Sequence, residues 1–433
     1  MKIKYINHAS ILWSNDEETV NILSDPWYVG NAFLDGWSLM WKTDLENFAI
    51  PTNTYIWISH EHPDHFSPVT LRQLDEKIKD CVFLYQNSHD KRVVNWLNRF
   101  NYKYIELESG KIMELSADVR IMCRSVGTGD SYLIIEDSRG TFVNSNDSIL
   151  LPADVRQLKS DCSKFQDVSV LTSQFGLAGK VGNSGDIESR EIAVKQILSV
   201  VERQLKAIRP KHFMPSASMK FFSAVDNSYM NHEQTKLTDV LNLVKNTNAM
   251  PLFLVPGASW ATSDQIPNPE VLINEYESVF NTSINSHQEL VSASNGNNNE
   301  LESSLQDWWS TMKSYHQPLA LLVLKFIPSS YRLTQLDFYL SDTSSIVSFL
   351  PKSKAKKQNT VVEVDSAVLK RALSDDFGIM SLIISARVQC SASDQKVLRT
   401  MGWLGTLKAA NQRLTLLRIL RLLSRSLSFL VNQ

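Results

Sequence analysis

The chain is expected to fold as an α/β sandwich of two sheets, each covered by helices on its outer face. Two observations lead there. Strand-like and helix-like stretches interleave along the first half, with strands in excess and in meander-like runs. The polar cluster Ser59-His60-Glu61-His62-Pro63-Asp64-His65 also follows directly on the apolar run Tyr55-Ile56-Trp57-Ile58, so its chemistry sits at the end of a buried strand.

Taken in order, residues 2–13 and 19–24 read as strands joined by the polar turn 14–18. His8 ends the alternating part of the first strand and is expected in the core or behind metal ligands, with direct ligation as the alternative. Asp25-Pro26-Trp27 opens an aromatic loop with Phe33, Trp37 and Trp41. Such side chains are costly to leave in water, so they should cover the core, wall a substrate pocket, or do both. Residues 69–79 and 91–100 read as helices. Strands are expected at 81–85, 103–107, 111–115, 119–126, 131–136 and 141–144, the last closing with Asn144-Ser145-Asn146-Asp147. A buried strand at 168–172, a long amphipathic helix at 191–208 and a strand at 212–215 follow.

The Asn/Ser-rich stretch 285–304 reads as a linker, and 317–348 as strands, led by 319–326. The basic run 352–357 reads as a solvated loop. The Leu-rich tail 404–430 reads as a helix with Arg418, Arg421 and Arg425 on one stripe, packed on its own chain or on a second subunit. The expected organisation is a catalytic domain at 1–260, a connecting segment at 261–304, and an α+β extension at 305–433 ending in that amphipathic helix.

Composition bounds the function. With 433 residues, 43% hydrophobic and 21% charged, the chain is of ordinary globular make-up. A net charge of -2 gives no footing for nucleic acid as the main partner. The four cysteines Cys81, Cys123, Cys162 and Cys390 are scattered without a CxxC pair, which suits reduced thiols and a cytoplasmic location. No run reaches the roughly 18 apolar residues of a membrane span, and the N-terminus lacks a signal-peptide core.

The His cluster carries the chemistry. Side chains two apart on an extended segment share a face, so His60 and His62 can reach one ion. Pro63 then turns the chain and brings Asp64 and His65 back towards the same spot. Imidazoles suit zinc or iron, and the carboxylate adds a hard oxygen, so one or two divalent metal ions are the expected cofactor.

This loop and its strand resemble the metallo-β-lactamase superfamily, whose signature H-x-H-x-D-H stands here as His60-Glu61-His62-Pro63-Asp64-His65. The resemblance implies a four-layer αβ/βα sandwich. It also implies that His60 and His62 hold one metal, Asp64 and His65 the second position, and Asp147 the bridge between them. A narrower resemblance, to the catalytic domain of CMP-N-acetylneuraminate hydroxylase and its bacterial relatives, spans about residues 3–260. It rests on Asn7-His8-Ala9, on Asp25-Pro26-Trp27 through Phe33 with Gly36-Trp37, on the His loop, Asp130-Ser131, residues 144–147, Arg209-Pro210-Lys211, Pro215-Ser216-Ala217 and Pro256-Gly257-Ala258.

The departures are informative. Gly127 stands where the superfamily's next metal histidine should fall, so either Asp130 or a water completes the first site, or only one metal binds. No histidine lies near Ser216-Ala217-Ser218, an absence shared with the hydroxylase group. Asp25 is a candidate to orient a ligand histidine. The hydroxylases also carry a Rieske iron–sulfur domain, whose Cys-His pairs this sequence lacks.

Three readings follow. The first is a hydrolase, with metal-activated water acting on a phosphoester or acyl substrate and Asp64 as both ligand and proton acceptor. The second is an iron-dependent hydroxylase of a nucleotide sugar, fed by a separate redox donor. The third is a degenerate site that only binds. A small-molecule substrate is the expected partner in each, with a homo-oligomer through the C-terminal helix as a further expectation.

Overall fold

The computed structural model describes residues 1–127, 129–285, 298–312, 314, 316, 336–349, 360–390 and 395–410. The strands of the first half are β1 (Lys2–Asn7), β2 (Ser10–Ser14), β3 (Asn21–Ser24), β4 (Trp37–Leu39), β5 (Thr54–Ile58), β6 (Val82–Gln86), β7 (Lys103–Leu107), β8 (Ile112–Glu114), β9 (Arg120–Val126), β10 (Asp130–Asp137) and β11 (Gly140–Asn144). After them come β12 (Val168–Gln174), β13 (His212–Ser216), β14 (Lys220–Phe222), β15 (Met250–Pro251) and β16 (Ser259–Ala261). One seven-stranded sheet runs β16-β1-β2-β3-β5-β6-β7, the other β15-β13-β12-β11-β10-β9-β8.

Helices cover both outer faces. On the first sheet lie α1 (Pro68–Gln73), α2 (Asp75–Ile78) and α3 (Arg92–Arg99). On the second lie α4 (Pro152–Cys162), α5 (Ile187–Ile208) and α6 (Leu237–Lys245). Strand β5 shows how the sequence sorts itself. Ile56 and Ile58 pack with Leu71, Leu74 and Val93 under the helices, while Trp57 faces the core between the sheets with Leu84, Leu133 and Phe142. That alternation is the period of two of a strand buried on both faces. The expected four-layer αβ/βα sandwich is the observed architecture.

The first strand differs from its expectation in a way that matters below. Residues 2–13 do not run as one strand; they turn at His8-Ala9 and return as β2, with a register shift between Tyr5 and Asn7. His8 takes φ +34°, in the left-handed region that non-glycine residues seldom occupy.

The segment 261–304 is not a plain connection. Helix α7 (Pro269–Ile284) buries Leu272, Ile273 and Tyr276 in the inter-sheet core, and α8 (Asn298–Ser310) joins a second core. That second core is built on a sheet β18-β17-β19-β20, of β17 (Leu336–Leu340), β18 (Ser345–Phe349), β19 (Thr360–Val364) and β20 (Gln389–Cys390). Helices α9 (Ser366–Leu373), α10 (Gly378–Ile384) and α11 (Gln395–Ala409) complete it. Of the expected strands at 317–348, residues 336–340 and 345–349 are strands, and 319–326 lie outside the described residues. So do the basic run and Arg418, Arg421 and Arg425. No helix among the described residues is long and apolar enough to cross a membrane.

The C-terminal unit docks on the sandwich through specific polar contacts. Arg387 Nε meets both Asp226 oxygens at 3.0 Å, and Arg387 Nη1 donates to Leu34 O at 2.7 Å. Asn227 Nδ2 donates to Ser385 O at 2.7 Å, and Asn183 bonds the Cys390 backbone. Gly36 sits so close to Ser385 that a Cβ there would lie 2.6 Å from the serine Cβ.

Candidate metal centre

The site residues come from one end of both sheets. His8 follows β1, Asp25 follows β3, the His loop follows β5, and Asn146 and Asp147 follow β11. Strand carboxyl ends are where α/β sheets present ligand-binding loops. Ser131 Oγ donates to Ser59 O at 2.6 Å across the sandwich, and Gln86 Nε2, on the neighbouring strand of the same sheet, donates to it at 3.0 Å.

The titratable side chains sort into two groups, His60 with His62 and Asp147, and His8 with Asp64 and His65. In each, the candidate ligand atoms lie within 4.8 Å of one another. His60 Nε2 is 2.8 Å from His62 Nδ1 and 3.6 Å from Asp147 Oδ2. Asp64 Oδ2 is 3.3 Å from both His8 Nε2 and His65 Nε2. Asp147 Oδ2 also lies 3.4 Å from His65 Nε2, so one carboxylate oxygen faces both groups.

These spacings fit metal ions. Four ligands at about 2.1 Å around a tetrahedral centre stand roughly 3.4 Å apart. Asp64 Oδ1, Asp147 Oδ1, His65 Nε2 and His8 Nδ1 are buried with no hydrogen-bond partner. Orphaned oxygens and an imidazole nitrogen in one dry spot are what a cation would satisfy.

A layer behind the groups fixes the imidazoles. Asp25 accepts from Ser59 N at 2.8 Å, from Ser59 Oγ at 2.8 Å and from Asn146 Nδ2, and receives His65 Nδ1 at 3.0 Å. Because the Ser59 hydroxyl proton is given to Asp25, its oxygen is left to accept from His60 Nδ1 at 3.0 Å. Both Nε2 lone pairs then point at the groups, the arrangement by which carboxylates and hydroxyls orient ligand histidines. His8, Asp25 and Asn146 all carry positive φ, at +34°, +39° and +55°. Strained backbone at three contributors to one site is held by the surrounding hydrogen bonds.

The electrostatics follow. Burial opposes charge on Asp64, yet His65 and His8 outweigh it and hold the carboxyl well below its ordinary range. Burial would lower His65, but Asp64, Asp147 and Asp25 outweigh it and raise the imidazole well above its usual value. That strong pull on a proton at Nε2 is the pull the carboxylates would exert on a cation there. Burial, with His60 beside it, lowers His62 to about 3, leaving it a neutral donor. Burial likewise pushes Lys220 down to about 7. Its ammonium donates to Leu177 O at 2.8 Å and lies 4.0 Å and 3.8 Å from the Trp37 and Phe222 ring centres.

Several expectations need correction. Asp130 stands opposite Val126 in the β9–β10 ladder and is part of neither group. Of the two places open to His8, the structure puts its ring in one group with Asp64 and His65. Trp27, Phe33 and Trp37 are buried together rather than lining an open pocket. They brace the imidazoles instead: Trp27 meets His8 edge-on at 5.3 Å, and Phe33 meets His62 at 5.7 Å. Trp41 bonds Glu275 on α7. The open space is elsewhere, a cavity of about 330 Å3 lined by Asp147, Ser173, Gln174, Lys180, Gln196 and Arg203 among others. Asp64 is not part of its wall.

Sequence reasoning also missed Phe377, whose ring lies 6.1 Å from His62, and Arg92, stacked 4.8 Å over that ring. Nothing near residue 377 announces the contact, because it exists only once the C-terminal unit has docked.

The two-sheet architecture of this chain is a metallo-β-lactamase-like sandwich, and residues 2–143 match the family model described as Beta-lactamase superfamily domain. The curated proteins it resembles are more particular. It is 23% identical over 262 residues to the cytidine monophosphate-N-acetylneuraminic acid hydroxylase of Xenopus laevis, covering 57% of this chain and 43% of that protein. To the enzyme of the same name from Gorilla gorilla gorilla it is 25% identical over 290 residues, covering 62% and 46%. The matched part thus spans less than half the length of these relatives. Among solved structures, a CmlA beta-hydroxylase mutant is similar over 60% of this chain and 53% of its own, with TM-score 0.41 and 11% identity. The metallo-beta-lactamase fold protein YhfI from Bacillus subtilis is similar over 60% and 98%, with TM-score 0.37 and 12% identity.

Proposed function

We propose that this chain is a metal-dependent enzyme that hydroxylates a small anionic substrate, a nucleotide sugar being the leading candidate, with dioxygen and a separate two-electron donor as co-reactants. The observation that carries this reading is the make-up of the two groups. Each offers two imidazoles and one carboxylate, the donor set of non-haem iron oxygenases. The likeness to curated hydroxylases supports it. Bound iron would supply the activation of dioxygen; one oxygen atom enters a C–H bond and the other leaves as water.

The chain's own residues do the rest. His60, His62 and Asp147 hold one ion, and His8, Asp64 and His65 the other. Asp25 and Ser59 keep both Nε2 atoms turned inwards. Trp27, Phe33 and Phe377 exclude water from the histidine faces. Asp147 belongs at once to the first group and to the cavity wall, so substrate in the cavity lies against the metal centre.

One observation favours a second reading, hydrolysis. Asp147 Oδ2 faces both groups, as a carboxylate bridging two ions would, and a bridged pair can activate a water on a phosphoester or acyl substrate. Elemental analysis of protein purified without chelators or an affinity metal, beside a His62→Ala control, separates the two. Iron, with reductant-dependent oxygen uptake, supports hydroxylation. Two zinc ions per chain with phosphodiester or acyl turnover supports hydrolysis. Protein that neither holds nor takes up metal overturns both.

A further inference from the structure

The cavity beside Asp147 carries a charge pattern that the metal groups do not explain. Its charged lining residues are Asp147, which serves the metal centre, and two cations, Lys180 and Arg203. Arg203 Nε is buried with no hydrogen-bond partner, and Nη1 donates to Ser199 Oγ at 3.3 Å. Lys180 Nζ donates to neutral oxygens: Gly182 O at 2.6 Å, Tyr229 OH at 3.1 Å and Asn183 Oδ1 at 3.3 Å. Neither cation has a carboxylate partner among the described residues, though each lines a partly desolvated space where an unpaired charge is costly. Burial brings Lys180 down to about 8, so it remains mostly charged at neutral pH.

The backbone adds a second, independent feature. Residues 178–181 line the same cavity, and the main-chain N–H groups of Ala178, Gly179, Lys180 and Val181 meet no protein acceptor among the described residues. Gly179 takes φ +140°, and a Cβ built there would meet nothing within 4 Å, so the loop opens onto free space. Opposite it, Ala193, Gln196, Ile197, Val200 and Arg203 recur on one face of α5, a floor about 15 Å long at 1.5 Å per residue. A guanidinium fork, free amides and a fixed ammonium around one space form the set that recognises an oxyanion.

We infer that this cavity binds the anionic group of the substrate, a phosphate or a carboxylate, with Arg203 as the forked donor, the 178–181 amides as its cradle and Lys180 as a fixed charge beside them. Calling that anion part of the substrate rests on the function proposed above; the anion site itself does not. The group would be anchored along α5 while the rest of the molecule reaches Asp147 and the metal centre. Arg203 and Lys180 are therefore positioning and specificity residues.

Calorimetric titration of the full chain with pyrophosphate, and separately with glucuronate, tests this on native and chelator-treated protein. Either probe should bind, with tighter pyrophosphate marking a phosphoryl site and tighter glucuronate a carboxylate site. Arg203→Gln should weaken binding at least about tenfold, the scale of one lost charge-assisted hydrogen bond, with Arg203→Lys restoring part of it. Lys180→Met should weaken it less, and none of the three should change metal content. The inference is overturned if neither probe binds, if binding disappears on chelation alone, or if Arg203→Gln in a folded protein leaves affinity within twofold. A chain that as purified neither holds nor takes up metal, yet binds pyrophosphate in an Arg203-dependent way, would instead sink the proposed function and leave the anion site standing.

Discussion

Asp25 holds His65 from behind: its Oδ2 lies 3.0 Å from His65 Nδ1, while His65 Nε2 faces Asp64 and Asp147 on the other side. One carboxylate that touches no ligand position thus sets the direction of a buried imidazole. Its other contacts, to Ser59 and Asn146, tie it to the loops after β5 and β11. Asp25→Asn keeps the shape but removes the charge that makes His65 a strong donor. Metal affinity should fall roughly 10–100-fold, the usual effect of losing such a partner. Competition against a chelator of known affinity reads it. An unchanged affinity would mean that His65 is oriented by packing alone.

The two groups make separate predictions for metal content. If His8 is a ligand of the second ion, His8→Ala should lose one metal per chain and retain the other. His62→Ala should lose the first ion and keep that held by His8, Asp64 and His65. The contrast matters because the two rings have different neighbours, His8 against Trp27 and His62 against Phe33. Elemental analysis of both variants and the double variant decides it. Loss of both ions in His8→Ala, with the fold intact by circular dichroism, would argue for one shared cluster.

Much of this centre was legible because its residues are close in sequence. His60, His62, Asp64 and His65 reach one another through a strand end and one proline, and local geometry sufficed to bring them together. Asp147 was placed by resemblance, at the end of β11. The place of His8 stayed open because residues 2–13 read as one strand; its side chain enters the group only through the left-handed turn at residues 8–9, which no periodicity encodes. The aromatic loop was open to two interpretations, since large buried rings and pocket walls look alike in sequence, and its burial was decided by Leu177, Phe222 and Ala386. The cavity was missed for a related reason: it lies between α5, the loop just before it and the loop after β11, and no local periodicity joins the three.

Away from the centre, Asp161 makes the acid limb of stability predictable. Its carboxylate accepts from Arg124 Nη2 at 2.7 Å, Tyr132 OH at 2.8 Å and Lys164 Nζ at 2.9 Å. Burial alone would raise its pKa, but these donors outweigh it and leave the group below its ordinary value. A carboxyl depressed in the folded state stabilises the protein above the unfolded pKa of about 3.9, and that contribution is lost as pH falls through the folded value. Asp161→Asn should therefore cost on the order of 2–4 kcal/mol at pH 7, since it strands Arg124. The gap between variant and wild type should narrow below about pH 4. Chemical denaturation at pH 7 and pH 3.5 measures both; a gap independent of pH would assign the cost to packing.

The C-terminal unit closes over the first metal group through one side chain. Phe377, at the start of α10, lies 6.1 Å from His62, and Arg92 stacks on its other side while reaching Glu61 at 3.3 Å and the Ala409 carbonyl. Arg92 thus ties the helix after β6, the His loop and the end of α11 to one ring. Truncating a half-buried phenylalanine costs about 1–2 kcal/mol, less than the 3–5 of a fully buried one. The larger consequence is access. Phe377→Ala should leave the number of bound metals unchanged while a small chelator strips the first ion several-fold faster, because water and chelator can then reach His62. Arg92→Met, which keeps a chain over the ring but drops the Glu61 contact, should give a smaller increase. Equal stripping rates in wild type and Phe377→Ala would show that the ring covers His62 without guarding it.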